Sequence, residues 1–184
     1  MSLTARPDGR TCGQLRLVTI SSGIAPAADG SVLISCGRTQ VVCAASITPT
    51  VPAWLAGRGR GWITAEYAML PYATRPRSQR ELERLSGRTQ EIRRLIGRSL
   101  RAALDLGLLG ERTVHIDADV LQADGGTRTA AITGGWLALA LAVSKLITAG
   151  ELAAGAMPAP VAAVSVGIWR GQYLLLQDAL LLFQ

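Results

Sequence analysis

TVHIDADVLQADGGTRTAAITG, residues 113–134, passes through three patterns in succession. It begins with alternation: Val114, Ile116, Ala118 and Val120 fall on one side, and His115, Asp117 and Asp119 on the other, which is the period of a half-buried strand. Asp124, Gly125 and Gly126 then form a turn, and residues 129–144 are nearly all apolar, as in a helix packed inside a core. A strand that feeds a core helix through a glycine turn belongs to a domain in which sheet and helices share one interior. The turn also carries chemistry. Two glycines before a helix N-terminus let backbone N–H groups approach an anion, the unpaired first-turn donors and the helix dipole favour negative charge, and Arg128 adds a guanidinium fork. Neither a Walker A loop nor a G-x-G-x-x-G fingerprint is present, and Asp-Gly-Gly also makes ordinary turns.

Upstream, residues 15–20, 31–36 and 40–47 are rich in Val, Ile and Leu between glycine-containing turns, and predict a β-meander. Residues 48–61 hold two prolines and three further turn glycines and read as an exposed loop bearing Arg58 and Arg60, followed by a strand over 62–67. Residues 71–85 read as a second basic loop, with Arg75, Arg77 and Arg80, or as a frayed helix start. From Ser86 the spacing is helical, with Ile92, Leu95, Ile96, Leu100 and Leu104 as the core stripe and Arg94, Arg98 and Arg101 as a basic one. Arg88 falls in the first turn, where the helix dipole disfavours a cation, so an anion bound there would resolve the mismatch. Downstream, 161–168 and 172–176 read as two more strands. The expectation is a single α+β domain over residues 1–184, strands first and then βαβ-like units.

The chain has 184 residues, 49% hydrophobic and 17% charged, which excludes a disordered tail or a stapled mini-protein. Aromatics are only 4%, so a ladder of stacking rings is not its means of gripping a ligand. The net charge of +6 is local: residues 58–101 hold eleven arginines against four glutamates, a balance of +7, and the rest is close to neutral. Such clustering points to a polyanion, nucleic acid or phosphate. Cys12, Cys36 and Cys43 are odd in number and lack metal-ligand spacing, which suggests a reducing compartment. The N-terminus lacks the apolar stretch of a signal peptide, and the most apolar run, 129–144, falls short of a membrane span, so a soluble cytoplasmic protein with no membrane partner is expected. Asp117 and Asp119, about 7 Å apart on one strand face, are candidates for a divalent cation or for pairing with arginines. His115 shares that face and reads as a structural partner. No serine, cysteine and histidine arrangement suggests a nucleophilic triad.

Six blocks together are specific: RPDGR (6–10), GSVLISCGRTQVVCAASI (30–47), GRGRGWITAEYAMLP (57–71), SGRTQEIRRLIGRSLRAALDL (86–106), DADVLQADGGTRTAAITG (117–134) and VAAVSVGI (161–168). In this order they closely resemble the ribonuclease PH family, over nearly the whole chain. The resemblance implies a ribonuclease PH-like fold of the ribosomal protein S5 domain 2 type. It implies a phosphate-dependent 3′→5′ exoribonuclease that releases nucleoside diphosphates, trims precursor tRNA 3′ ends, and runs in reverse as a nucleotidyltransferase. By the same resemblance the phosphate is held by Arg88, Gly126, Thr127 and Arg128, RNA by Arg75, Arg77 and Arg80 with Arg58 and Arg60, and the protein forms a hexameric ring. A Mg²⁺ cofactor is also implied, for which Asp117, Asp119 and Asp124 are the remaining candidates. The pattern departs at the end: family members continue with an acidic D-x-x-Y-x-E-D-S stretch and further elements, whereas this chain reads WRGQYLLLQDALLLFQ (169–184), with Asp178 its single acid. The domain is therefore expected to be incomplete at its C-terminus. Two readings follow, an active phosphorolytic enzyme or a catalytically inactive RNA-binding or ring-forming subunit.

Overall fold

The computed structural model describes residues 6, 9–82, 84–169 and 171–175. Five strands form one sheet: β1 (Val18–Ser22), β2 (Gly30–Cys36), β3 (Thr39–Thr48), β4 (Trp62–Met69) and β5 (Thr113–Gln122), in the order β1-β2-β3-β5-β4. All neighbours are antiparallel except β4 and β5, which run parallel. A parallel pair needs a crossover. Helix α1 (Gly87–Ala103) and the short α2 (Leu106–Leu109) supply it. After β5 the chain turns through Gly125 and Gly126 into α3 (Thr127–Thr148).

The core lies between one face of the sheet and the two long helices. Val114, Ile116, Ala118 and Val120 of β5 all point into it, as their alternation requires. They meet Ile92, Ile96 and Leu100 of α1, spaced one turn apart and fully buried. Leu95, expected in that stripe, is exposed, because the buried stripe runs straight through 92, 96 and 100 and leaves Leu95 beyond its edge. Helix α3 buries small residues, Ala130, Ala131, Gly134, Gly135 and Ala138, so its backbone lies close on the sheet. A Cβ at Gly134 would sit 2.7 Å from Cys43 Sγ. Although α3 is long and apolar enough by composition to span a membrane, half of its most apolar stretch is buried against the fold.

The meander begins at Val18 rather than Leu15, and the core helix at Thr127 rather than Thr129. The strand expected over 161–168 is a correction. Residues 161–165 are not strand: the Ala163 N–H donates to Thr133 Oγ1 of α3 at 3.1 Å, so the segment runs along the helix instead of joining the sheet. Only Val166–Trp169 (β6) pairs, with Gln172–Leu175 (β7), in a separate hairpin. The expected second βαβ unit therefore does not return to the main sheet. Asp178 and the rest of the tail from residue 176 onward lie outside the described residues.

Candidate active site

The glycine turn sits at the C-terminal end of β5, beside the end of β4. Gly125 and Gly126 have φ of 86° and 70°, left-handed values that glycine adopts without a Cβ clash, so the chain can leave the strand and enter α3 across only four residues, 123–126. The turn is held from the β2–β3 hairpin. Thr39, fully buried, accepts from the Asp124 N–H at 2.9 Å and donates to the Gly125 carbonyl at 2.6 Å. Arg16 donates to the Asp124 carbonyl at 2.6 Å and pairs with its carboxylate at 3.2 Å. Inside the helix, Thr129 closes the first turn by donating to the Gly126 carbonyl at 2.9 Å. The backbone donors of Gly126 and Thr127 are thus pre-positioned.

Around these donors stand three side chains from three elements. Tyr67 of β4 is buried and donates to Thr127 Oγ1 at 2.9 Å. Burial pushes the Tyr67 hydroxyl above its usual pKa, while the Thr127 hydrogen bond and the charges of Arg88 and Arg128 pull it back, which places both guanidiniums within electrostatic reach of one phenol. Arg128 pairs with Glu91 of α1 at 2.8 Å, yet its Nε is buried with no partner. Arg88 follows the Ser86 cap, whose Oγ accepts from the Thr89 N–H at 3.2 Å, and among the described residues it has no acidic partner. A cleft of about 180 Å³ brings Arg88 together with Tyr67, Thr89 and Arg80. Glu81 shares this cleft, its carboxyl held below the usual range chiefly by hydrogen bonding to Ser86. The site can hold a compact anion between a helix N-terminus and two guanidiniums.

The other candidates fall elsewhere. Arg75 and Arg77 lie in the same loop as Arg80 but do not line the cleft. Arg58 and Arg60 precede β4, at the opposite end of that strand from Tyr67 and the glycine turn, about 20 Å away by strand rise. The proposed acidic set is not assembled. Asp124 is committed to Arg16, and Asp117 and Asp119 occupy the sheet face away from α1 and α3. Burial, and then the neighbouring Asp117, raise the Asp119 carboxyl above its ordinary value. Among the described residues no group of three His, Cys, Asp or Glu side chains is placed to hold a metal, so the three candidates do not form one ligand set, although Asp117 and Asp119 remain neighbours on one face and Mg²⁺ needs only one or two carboxylates with water. His115 stands 3.5 Å from Thr48 Oγ1 on the next strand. Sequence reasoning assigned nothing to Thr39, Arg16, Tyr67 and Glu91, whose contributions depend on contacts distant in sequence.

A family model described as "3′ exoribonuclease family, domain 1" matches residues 14–145. Ribonuclease PH of Cyanothece sp. (strain PCC 7425 / ATCC 29141) is 60% identical over 167 residues, 91% of this chain and 70% of that protein. Ribonuclease PH of Crocosphaera subtropica (strain ATCC 51142 / BH68) is 58% identical over 92% of this chain and 71% of its own length. Among solved structures, rice (Oryza sativa) Rrp46 has the same fold, with a TM-score of 0.75 and 19% identity over 94% of this chain and 73% of that one. A chain of the Archaeoglobus fulgidus exosome, described with RNA bound to the active site, gives a TM-score of 0.73 at 26% identity, covering 92% of this chain and 69% of that one.

Proposed function

The chain belongs to the ribonuclease PH family of 3′ exoribonucleases, and from that premise we propose that it trims the 3′ ends of precursor tRNA by phosphorolysis. In this reading inorganic phosphate lies on the N–H groups of Gly126 and Thr127, between Arg88 and Arg128. One of its oxygens attacks the last phosphodiester phosphorus in line. The new P–O bond makes a nucleoside diphosphate, the bond to the preceding 3′ oxygen breaks, and that oxygen takes up the proton given up by the attacking hydrogen phosphate to become the new 3′ hydroxyl. Two anions must be brought together, so positioning and charge neutralisation carry the reaction and no protein nucleophile is required. The observation that carries the reading is Arg128: one arm is oriented by Glu91 while its buried Nε–H has no partner, a costly state that an anion ligand relieves.

RNA enters past Arg80, with Arg75 and Arg77 in the same loop. The Archaeoglobus relative carries RNA at its active site, which supports RNA as the ligand here. Assembly into a hexameric ring and a cytoplasmic location complete the proposal. The second reading is a catalytically inactive subunit that retains RNA, and the test separates the two. A 3′-tailed RNA is incubated with Mg²⁺, with and without phosphate. The expected result is nucleoside diphosphate released only with phosphate, with Arg88→Ala and Arg128→Ala each losing phosphate use at least tenfold while RNA affinity changes little. RNA retained without diphosphate release selects the inactive reading, and equal losses of phosphate use and RNA affinity overturn the assignment of the two arginines.

A further inference from the structure

The basic stripe of α1 is not absorbed by the phosphate site. It borders a groove of about 320 Å³ between α1 and the edge strand β4, with Trp62 and Thr64 on its floor and Arg93, Arg94 and Arg101 along its wall. Arg101 lies over the Trp62 ring at 4.4 Å, and the exposed Trp54 meets Trp62 edge-on at 4.9 Å. A Cβ at Gly97 would come within 2.9 Å of Arg101 Nη1, so that glycine leaves room for the guanidinium to cross the helix. Arg101 donates to the Ile63 carbonyl at 2.7 Å, and Arg93 to the Ala65 carbonyl at 3.4 Å. Those two arginines occupy two of the outward carbonyls of β4, which hinders pairing of an added strand along that part of the edge. Arg93 is also paired with Glu66. Arg94 and Arg98 are exposed and, among the described residues, have no acidic partner. Burial, and then the charge of Arg98, lower the pKa of Arg101, as expected of crowded cations without a counter-ion.

The position of the groove says which polyanion it suits. Helix α1 carries Arg88 in its first turn, at the phosphate site, and reaches Arg101 about 20 Å along its axis. Beyond Arg101 and Trp62 lies the loop that carries Trp54, Arg58 and Arg60, the two arginines that cannot reach the phosphate site. We propose that the α1–β4 groove is a second RNA-binding surface, which holds the sugar-phosphate backbone of the RNA body while its 3′ end is at the phosphate site. Arginines spaced along a groove beside aromatic rings suit a phosphodiester chain, and the like charges of Arg94 and Arg98, without acidic partners, favour a polyanion over an ordinary protein surface. The inference rests on the proposed function only in taking RNA as the substrate.

The test is equilibrium binding of the full chain to a 3′-tailed RNA stem–loop and to the tail alone, over a salt series. Arg94→Ala/Arg98→Ala is expected to bind the stem–loop about tenfold more weakly near 0.1 M salt. The slope of log affinity against log salt should flatten by about 1.4 to 1.8, as for two lost phosphate contacts. Arg94→Lys/Arg98→Lys should keep the slope, and the tail alone should show little change. Equal losses for both RNAs, or an unaltered slope, overturn the proposal. So does displacement of the stem–loop by polyglutamate as effectively as by RNA of equal charge, which assigns the groove to an acidic protein. A shift in the sizing profile of the double variant overturns it too, as a subunit contact. Because the readout is binding, absence of diphosphate release counts against the catalytic reading alone, and an unaffected slope counts against the groove alone.

Discussion

A phenol that donates its proton to a threonine leaves that threonine's own proton free for another acceptor. Tyr67 does this for Thr127, the first residue of α3, from a buried position fixed by β4. Under the proposed function the Thr127 O–H then points at phosphate, and Tyr67 is a positioning residue. Tyr67→Phe is expected to raise KM for phosphate by about three- to tenfold, the range of one neutral hydrogen bond, with kcat and RNA affinity nearly unchanged. A fall in kcat at constant KM would instead place the hydroxyl in the chemical step. Asp119 gives a prediction of opposite kind. Its raised carboxyl pKa means the folded state binds that proton more tightly than the unfolded chain does, so the ionised form opposes folding. The cost is absent below the ordinary aspartate range and appears as pH rises through the raised folded value. Asp119→Asn should therefore be more stable than the parent at about pH 7, with the gap closing toward about pH 3.5 in urea midpoints. A gap equal at both pH values would assign the gain to packing. Neither expectation is visible in residue type alone, since both depend on what a strand face meets.

Among elements, the glycine turn and α3 show how much local pattern conveys. The alternation of 113–121 and the apolar run after it identified strand, turn and helix, because period and composition are properties of contiguous residues. The turn's rigidity was not legible: Thr39 and Arg16, far away in sequence, clamp it. Gly126 has a φ of 70°, which costs a residue with a Cβ about 1–2 kcal/mol. Gly126→Ala is expected to lower stability by about that amount and to raise KM for phosphate, read from urea midpoints and from phosphate titration of turnover. A loss of stability with KM unchanged would separate the turn's shape from phosphate binding. The start of α1 was also legible, since Ser86 is a capping residue at the right place before a helical stripe. The segment 161–165 was not, because a short apolar run reads equally well as strand or as chain lying on a helix, and only the Thr133 hydroxyl decides.

At the scale of the whole molecule, the excess charge of residues 58–101 is divided by folding into three places. Arg88 and Arg80 reach the cleft beside the glycine turn, Arg94 and Arg101 line the groove between α1 and the edge strand with Arg98 near Arg101 on the same helix, and Arg58 and Arg60 sit at the far end of β4. The division comes from topology: a strand and a helix in sequence carry the segment across the sheet and back, so residues close in number end far apart. The tightest arrangement joins residues far apart in number, Tyr67 with Thr127 and Glu91 with Arg128. Amino-acid order alone was enough to establish the fold class, the glycine turn, the two helices and the family to which the chain belongs. These rest on periodicity and contiguous motifs, which survive without a third dimension. Tertiary structure alone decided that Asp124 is tied to Arg16, that the acidic candidates do not assemble, and that one run of arginines serves separate surfaces. Electrostatic and hydrogen-bonding partners are set by distance through space, and distance through space is what the crossing of β4, α1 and β5 creates.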